Sequence, residues 1–187
     1  MLCFHLKKLL LIIKKGNILE EECQAIVCPA NSFGYMRGGL SQAIRIAGGD
    51  SIEDEVKKRA PIAIGDAVVT SAGNLKAKFI IHSPTMSLPL GPTSKENVKK
   101  AVKAALNCAL NHEISSLVLP AMGTGTGWLP YSDAAEVELR EIISFDNDPG
   151  NTRKIVIVAH SEEFFNSLLK KASELGLKPE TGTNNCI

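Results

Sequence analysis

A rhythm constrains this chain more than any single motif: short apolar runs bounded by turn residues alternate with stretches of helical spacing. The runs are Leu9–Ile13, Ala25–Val27, Ala67–Thr70, Lys78–His82, Ser116–Leu119 and Lys154–Ala159, each rich in Val, Ile and Leu. They read as largely buried strands. Between them lie Leu40–Ala47, Asp50–Arg59, Ser94–Asn111, Ser132–Ile143 and Glu162–Leu175, where apolar residues recur at the helical period. Strand and helix in alternation predict an α/β fold: a central mixed, mostly parallel sheet with helices on both faces, in three layers. Helix starts are marked by Thr93 or Ser94, by Ser132-Asp133 and by Ser161, each able to accept from a first-turn N–H. Gly176 follows the last helix where a C′ glycine belongs. The polar segment from Lys178 to Ile187 is expected to be a flexible tail, leaving 1–177 as one domain.

The chain has 187 residues, 44% of them hydrophobic, with 21 Lys+Arg against 20 Asp+Glu for a formal charge of +1. Balanced charge and plentiful Val, Ile and Leu disfavour intrinsic disorder. Gripping nucleic acid demands a basic surplus on one face, and here Lys7-Lys8, Lys14-Lys15, Lys57-Lys58-Arg59, Lys99-Lys100 and Lys170-Lys171 are scattered, so a nucleic-acid partner is disfavoured. Cys3, Cys23, Cys28, Cys108 and Cys186 are odd in number and form no C-x-x-C pair. They are expected to be reduced thiols in a cytoplasmic protein, with no metal site. Leu6–Lys15 imitates a signal peptide, but its apolar run is too short and is flanked by lysines on both sides. No stretch reaches the roughly 20 apolar residues of a membrane span, so no membrane partner is expected.

Chemistry concentrates in two loops. Ala25–Ala47 reads as a strand, then Pro29-Ala30-Asn31, then a loop ending in Gly38-Gly39 before an amphipathic helix. Glycines let a ligand approach the backbone, and a helix N-terminus offers unpaired N–H groups to an anion. Leu117–Pro130 repeats the arrangement with a second glycine-rich loop, Gly123 to Gly127. Each loop alone is equally an ordinary strand-to-helix turn. Together, at the carboxyl ends of strands in an open sheet, they suit a diphosphate. The second loop lacks the G-K-[ST] of a P-loop and the third glycine of G-x-G-x-x-G.

In these loops the chain resembles the macro domain family, whose members bind ADP-ribose. Gly16-Asn17-Ile18 is similar to the family's G-D-I, Ala25–Asn31 to its A-I-V-N-A-A-N and Arg37-Gly38-Gly39-Leu40 to its G-G-G-V. Gly65-Asp66-Ala67, Ala72-Gly73-Asn74-Leu75, Ile80-Ile81-His82 and Pro120–Gly125 match further landmarks in order. The resemblance spans Gly16 to Phe165 and implies the three-layer macro domain fold.

It also implies roles. Asn17 would accept from the adenine amino group and the Ile18 N–H would face the ring. Asn31 would hydrogen-bond the distal ribose as the residue carrying any catalysis. Gly38, Gly39, Leu40 and Ser41 would cradle one phosphate, and Gly123, Thr124, Gly125, Thr126 and Gly127 the diphosphate from the other side. His160, or the nearby Phe164, would stack on adenine. No cofactor is implied. The partner would be ADP-ribose or ADP-ribosylated protein, as a hydrolase or as a pure reader.

Departures from the pattern bear on catalysis. Ser41 stands where more active relatives carry an Asp, and a hydroxyl cannot serve as that base. Gly127 replaces an aromatic residue, opening the distal end. Cys28 replaces the first Asn of N-A-A-N. Strong hydrolysis is therefore not expected, whereas binding through backbone N–H groups survives. His82, at the end of an apolar run, reads as a core histidine, and Cys28 lacks a partner that would make it a nucleophile. Trp128 reads either as a rim to the site or as a packing anchor.

Overall fold

The computed structural model describes residues 1–180. Among these, seven strands form one sheet: β1 (Leu2–His5), β2 (Leu10–Lys15), β3 (Ala25–Asn31), β4 (Val68–Ser71), β5 (Phe79–Met86), β6 (Ser116–Leu119) and β7 (Lys154–Ala159). Five helices accompany them: α1 (Gly39–Gly48), α2 (Ser51–Lys57), α3 (Lys95–Asn111), α4 (Tyr131–Phe145) and α5 (Glu162–Glu174). The sheet runs β1-β2-β7-β6-β3-β5-β4. Its five inner strands are parallel, and the edge strands β1 and β4 are antiparallel to their neighbours.

Strand side chains alternate between the two faces, so each apolar run feeds two cores. Leu11, Ile13, Ala25, Val27, Ile81, Leu117, Leu119, Ile155 and Ile157 join α3, α4 and α5. Ile12, Ile26, Cys28, Ile80, Val118, Val156 and Val158 join α1 and α2 on the opposite face. The expected three-layer α/β/α arrangement is the one observed.

The connections then decide where a ligand can enter. From β3 the chain passes to α1 on one face, whereas from the adjacent β6 it passes to α4 on the other. β3 and β6 pair only at Ala25↔Leu117 and Ile26↔Val118, while β3 continues along β5 to Asn31↔Met86. A crevice therefore opens past the carboxyl ends of β3 and β6, at the switch point where connections diverge.

Several local expectations are corrected. β1 was not anticipated; it is secured where the Asp146 carboxylate accepts from the N–H groups of Lys7, Lys8 and Leu9 at 2.8, 2.9 and 2.9 Å. Ser94 and Ser161 cap α3 and α5 as expected, accepting from Asn97 N and Phe164 N. Ser132-Asp133 does not cap α4. That helix begins at Tyr131 after Pro130, and Asp133 instead takes Lys95 Nζ of α3 at 3.0 Å. Cys3 is disulfide-bonded, against the expectation of five reduced thiols, while Cys23, Cys28 and Cys108 are free. An odd cysteine count with no C-x-x-C pair carries no local signal of such a bond. The tail expected from Lys178 lies outside the described residues beyond Glu180, whose N–H donates to Cys3 O at 2.9 Å. No helix of the described chain is long and apolar enough to cross a membrane.

Candidate functional site

The crevice holds a cavity of about 830 Å³, within the ~300–1,000 Å³ range of small-molecule sites. Every site residue expected from sequence lies in its wall: Asn17, Ile18, Asn31, Gly38, Gly39, Leu40, Ser41, Gly123, Thr124, Gly125, Thr126, Gly127 and His160. The sheet brings these four segments together. β2 and β7 pair to their last residues, Lys15↔Ala159, and Gly16 N donates to Ala159 O at 3.1 Å, so Asn17-Ile18 and His160 emerge side by side.

The first loop ends at α1. Gly38 is extended and Gly39 takes φ +53°, a left-handed conformation that favours glycine, and neither position has an atom within 4 Å of a would-be Cβ. Helix geometry leaves the N–H groups of Gly39, Leu40 and Ser41 without intrahelical acceptors. The first intrahelical bond is Gln42 N to Gly38 O at 3.3 Å. Ser41 Oγ donates to Gly38 O at 2.8 Å, so its hydroxyl is spent on holding the turn.

The second loop is built around Gly123, at φ +77°, where a Cβ would meet Val98 Cγ2 at 2.4 Å. Leu129 N donates to Gly123 O and Trp128 N to Gly125 O, both at 3.1 Å, closing the loop on itself. Among the described residues, none of the N–H groups from Gly123 to Gly127 donates to a protein acceptor. Gly125 faces open space, whereas Gly127 is pressed against Gly123 O and Thr93. The two glycines therefore do different work: one opens the cavity and the other packs the loop.

Side chains around the cradle are more committed than sequence suggests. The buried Asn31 donates through Nδ2 to Tyr35 O at 2.8 Å, and its Oδ1 accepts from Phe33 N and Tyr35 N at 3.1 and 3.3 Å. Asn17 Oδ1 accepts from Leu19 N at 3.1 Å while Nδ2 donates to Glu20 at 3.0 Å. Both asparagines shape their own loops: Asn17 keeps one carbonyl lone pair, whereas Asn31, whose carbonyl already accepts twice, keeps only the second N–H of its amide. His160 is exposed at the mouth; Phe164 is buried, its ring 5.5 Å from that of Tyr131, and both rings border the cavity. Trp128 is 83% exposed and is not in the cavity wall.

Charge in the wall is one-sided. Among the described residues no Asp or Glu lines the cavity, and Arg37 does. His82 is fully buried in β5, bonded to Thr70 Oγ1 at 2.9 Å. Burial, with Arg59 adding to it, pushes its pKa down to about 3, so it is a neutral core histidine. Burial likewise pushes the Cys28 thiol up to about 12, which removes it as a nucleophile at neutral pH.

Sequence reasoning missed two glutamates. Glu53 of α2 accepts from Met36 N at 2.9 Å and Glu138 of α4 accepts from Met122 N at 2.8 Å, each tying a glycine loop to the helix behind it. Arg45 Nε adds a bond to Met36 O at 3.1 Å. The only sequence signal was a Glu on an apolar helix face, which is rarely left unpaired.

Comparison with known proteins agrees with this architecture. A family model described as the Macro domain matches residues 27–138. An uncharacterized protein of Aquifex aeolicus is 43% identical over 81% of this chain and 90% of its own length. Another, of Aeropyrum pernix, is 38% identical over 93% and 91%. Among solved structures, a mutant Oceanobacillus iheyensis macrodomain with ADPR superposes with a TM-score of 0.83 at 23% identity, covering 92% of this chain and 97% of that one. The Trypanosoma brucei macrodomain in complex with ADP-ribose gives 0.77 at 20% identity, covering 86% and 68%. On the family match and the identity of these relatives, the chain belongs to the macro domain family.

Proposed function

We propose that this protein binds ADP-ribose in the crevice and hydrolyses ADP-ribosyl bonds slowly. The observation that carries the reading is the pair of facing glycine loops, whose unpaired N–H groups converge on one cavity free of carboxylates. A diphosphate between them would take hydrogen bonds from both loops, with the α1 dipole contributing about 0.3–1 kcal/mol. Adenine would lie toward Asn17, Ile18 and His160. The distal ribose would lie toward Asn31, where the wall is formed by Tyr35 and Met86. The solved macrodomains with ADPR or ADP-ribose named above support the ligand class.

On mono-ADP-ribosylated protein, water would add its oxygen to the anomeric carbon of the distal ribose while the bond to the protein atom breaks; on O-acetyl-ADP-ribose it would add to the acetyl carbonyl carbon, and on ADP-ribose 1″-phosphate to phosphorus, the ribose oxygen leaving with the proton that water gives up. No carboxylate lines the cavity among the described residues, so none there takes the place of the Asp missing at Ser41. Positioning by Asn31 and the two loops is then the main contribution, and it can supply several kcal/mol. The candidate substrates are mono-ADP-ribosylated protein, ADP-ribose 1″-phosphate and O-acetyl-ADP-ribose, processed in the cytoplasm. The absence of a wall carboxylate equally favours a second reading, a reader module without turnover.

Titration calorimetry with ADP-ribose and AMP tests the binding reading: ADP-ribose is expected to bind more tightly because it alone engages both loops and the Asn31 end. Equal affinities would refute it. Product release from mono-ADP-ribosylated protein against a buffer control separates the slow hydrolase from the reader.

A further inference from the structure

Both glycine loops hang from the same device, and it lies in neither loop. Met36, shortly before Gly38, gives its N–H to Glu53, 17 residues further along; Met122, directly before Gly123, gives its N–H to Glu138, 16 residues further along. Each glutamate belongs to the helix that packs behind its loop, and each helix lies on the opposite face of the sheet from the other. The two differ in their surroundings. Lys57 Nζ lies 3.2 Å from Glu53. Glu138 is fully buried, with Oε2 unpartnered among the described residues.

We propose that Glu138 is a positioning residue for anion binding: by fixing Met122 N–H it makes the chain turn at Gly123, so that the N–H groups of Gly123 to Gly127 face the cavity. This rests on the reading of the crevice as an ADP-ribose site. Three observations converge. The latched amide immediately precedes the left-handed glycine. Among the described residues, the backbone N–H groups beyond it donate to no protein acceptor until Trp128 and Leu129. No other hydrogen bond ties Met122 to α4. Burial holds the Glu138 carboxyl well above the usual carboxylate range, the Met122 N–H only partly offsetting it.

The test compares wild type, Glu138→Gln and Glu138→Leu, titrated with ADP-ribose, ADP and adenosine, with near-UV circular dichroism to confirm folding. Gln retains the acceptor oxygen and is expected to bind all three ligands within about twofold of wild type. Leu removes it and is expected to lose at least about tenfold toward ADP-ribose and ADP, the scale of one lost buried hydrogen bond, with adenosine changed less than about twofold. A folded Glu138→Leu that binds ADP-ribose as wild type does, or that loses all three ligands equally, overturns the latch. Failure of the wild type to bind ADP-ribose would instead overturn the site reading itself. Should Glu138→Leu not fold, amide exchange of the wild type decides. Met122 is expected to be protected without ligand, with Gly125 and Thr126 gaining protection only on adding ADP; Met122 exchanging as fast as Gly125 overturns the proposal.

Discussion

Replacing Gly125 with Glu tests the second loop without disturbing the fold. The would-be Cβ at Gly125 has nothing within 4 Å and its φ lies outside the left-handed region, so a side chain enters open space at no backbone cost. Its neighbours cannot serve. A Cβ at Gly123 would lie 2.4 Å from Val98 Cγ2, and at Gly127 2.7 Å from Gly123 O, so substitution there would confound binding with stability. In Gly125→Glu the carboxylate enters the cavity that the diphosphate would occupy. A carboxylate at roughly 4 Å from one phosphate charge costs about 4 kcal/mol at an effective dielectric constant of about 20. If the side chain swings toward the mouth and halves that, about 2 kcal/mol remains, so the affinity loss should fall between about 30-fold and 1,000-fold. Calorimetric titration with ADP-ribose reads the loss, and a thermal melt should show a midpoint within a few degrees of wild type. Gly125→Gln separates bulk from charge and is expected to lose clearly less. A folded Gly125→Glu that binds ADP-ribose with wild-type affinity would refute the placement of the anion at this loop.

Asn31→Ala removes three loop hydrogen bonds; it should abolish measurable turnover of mono-ADP-ribosylated protein and lower the unfolding free energy by roughly 1–3 kcal/mol, and undiminished turnover would place catalysis elsewhere. Ser41→Asp puts a carboxylate in the first turn of α1, where the dipole favours it, and should raise turnover at saturating ligand while weakening binding by like-charge repulsion; no gain at saturation would show that the missing base is not the limitation. His82, held neutral by burial with a pKa near 3, contributes stability that is full above the unfolded value of about 6.5 and is lost as pH falls toward 3. Between pH 7 and pH 5 urea denaturation should therefore show wild type losing about 2 kcal/mol more than His82→Gln, and parallel profiles would contradict it.

What the sequence determined by itself was whatever depends on near neighbours. Burial on both faces is legible because an unbroken apolar run must be covered on either side, and in the structure Leu11 and Ile13 enter one core while Ile12 enters the other. The caps at Ser94 and Ser161 are legible because a side chain reaches an N–H three residues on. The glycine loops are legible because only glycine leaves backbone N–H groups accessible at close range, and their order along the chain carries the family resemblance.

Tertiary structure decided the rest, because it depends on residues brought together from afar. β3 runs through Pro29 to Asn31 and β5 through Pro84 to Met86, further than proline suggests for inner strands. This is possible because β3 has parted from β6 after Ile26, and β5 from β4 after His82, leaving each with a free side. Asp133 could have capped α4, but Lys95 competes for it across the helix interface. That His160 stands beside Asn17 follows from β2 lying against β7. Glu53 and Glu138 reach back over a whole loop to the amides they hold, a separation at which no local spacing in the sequence marks a bond.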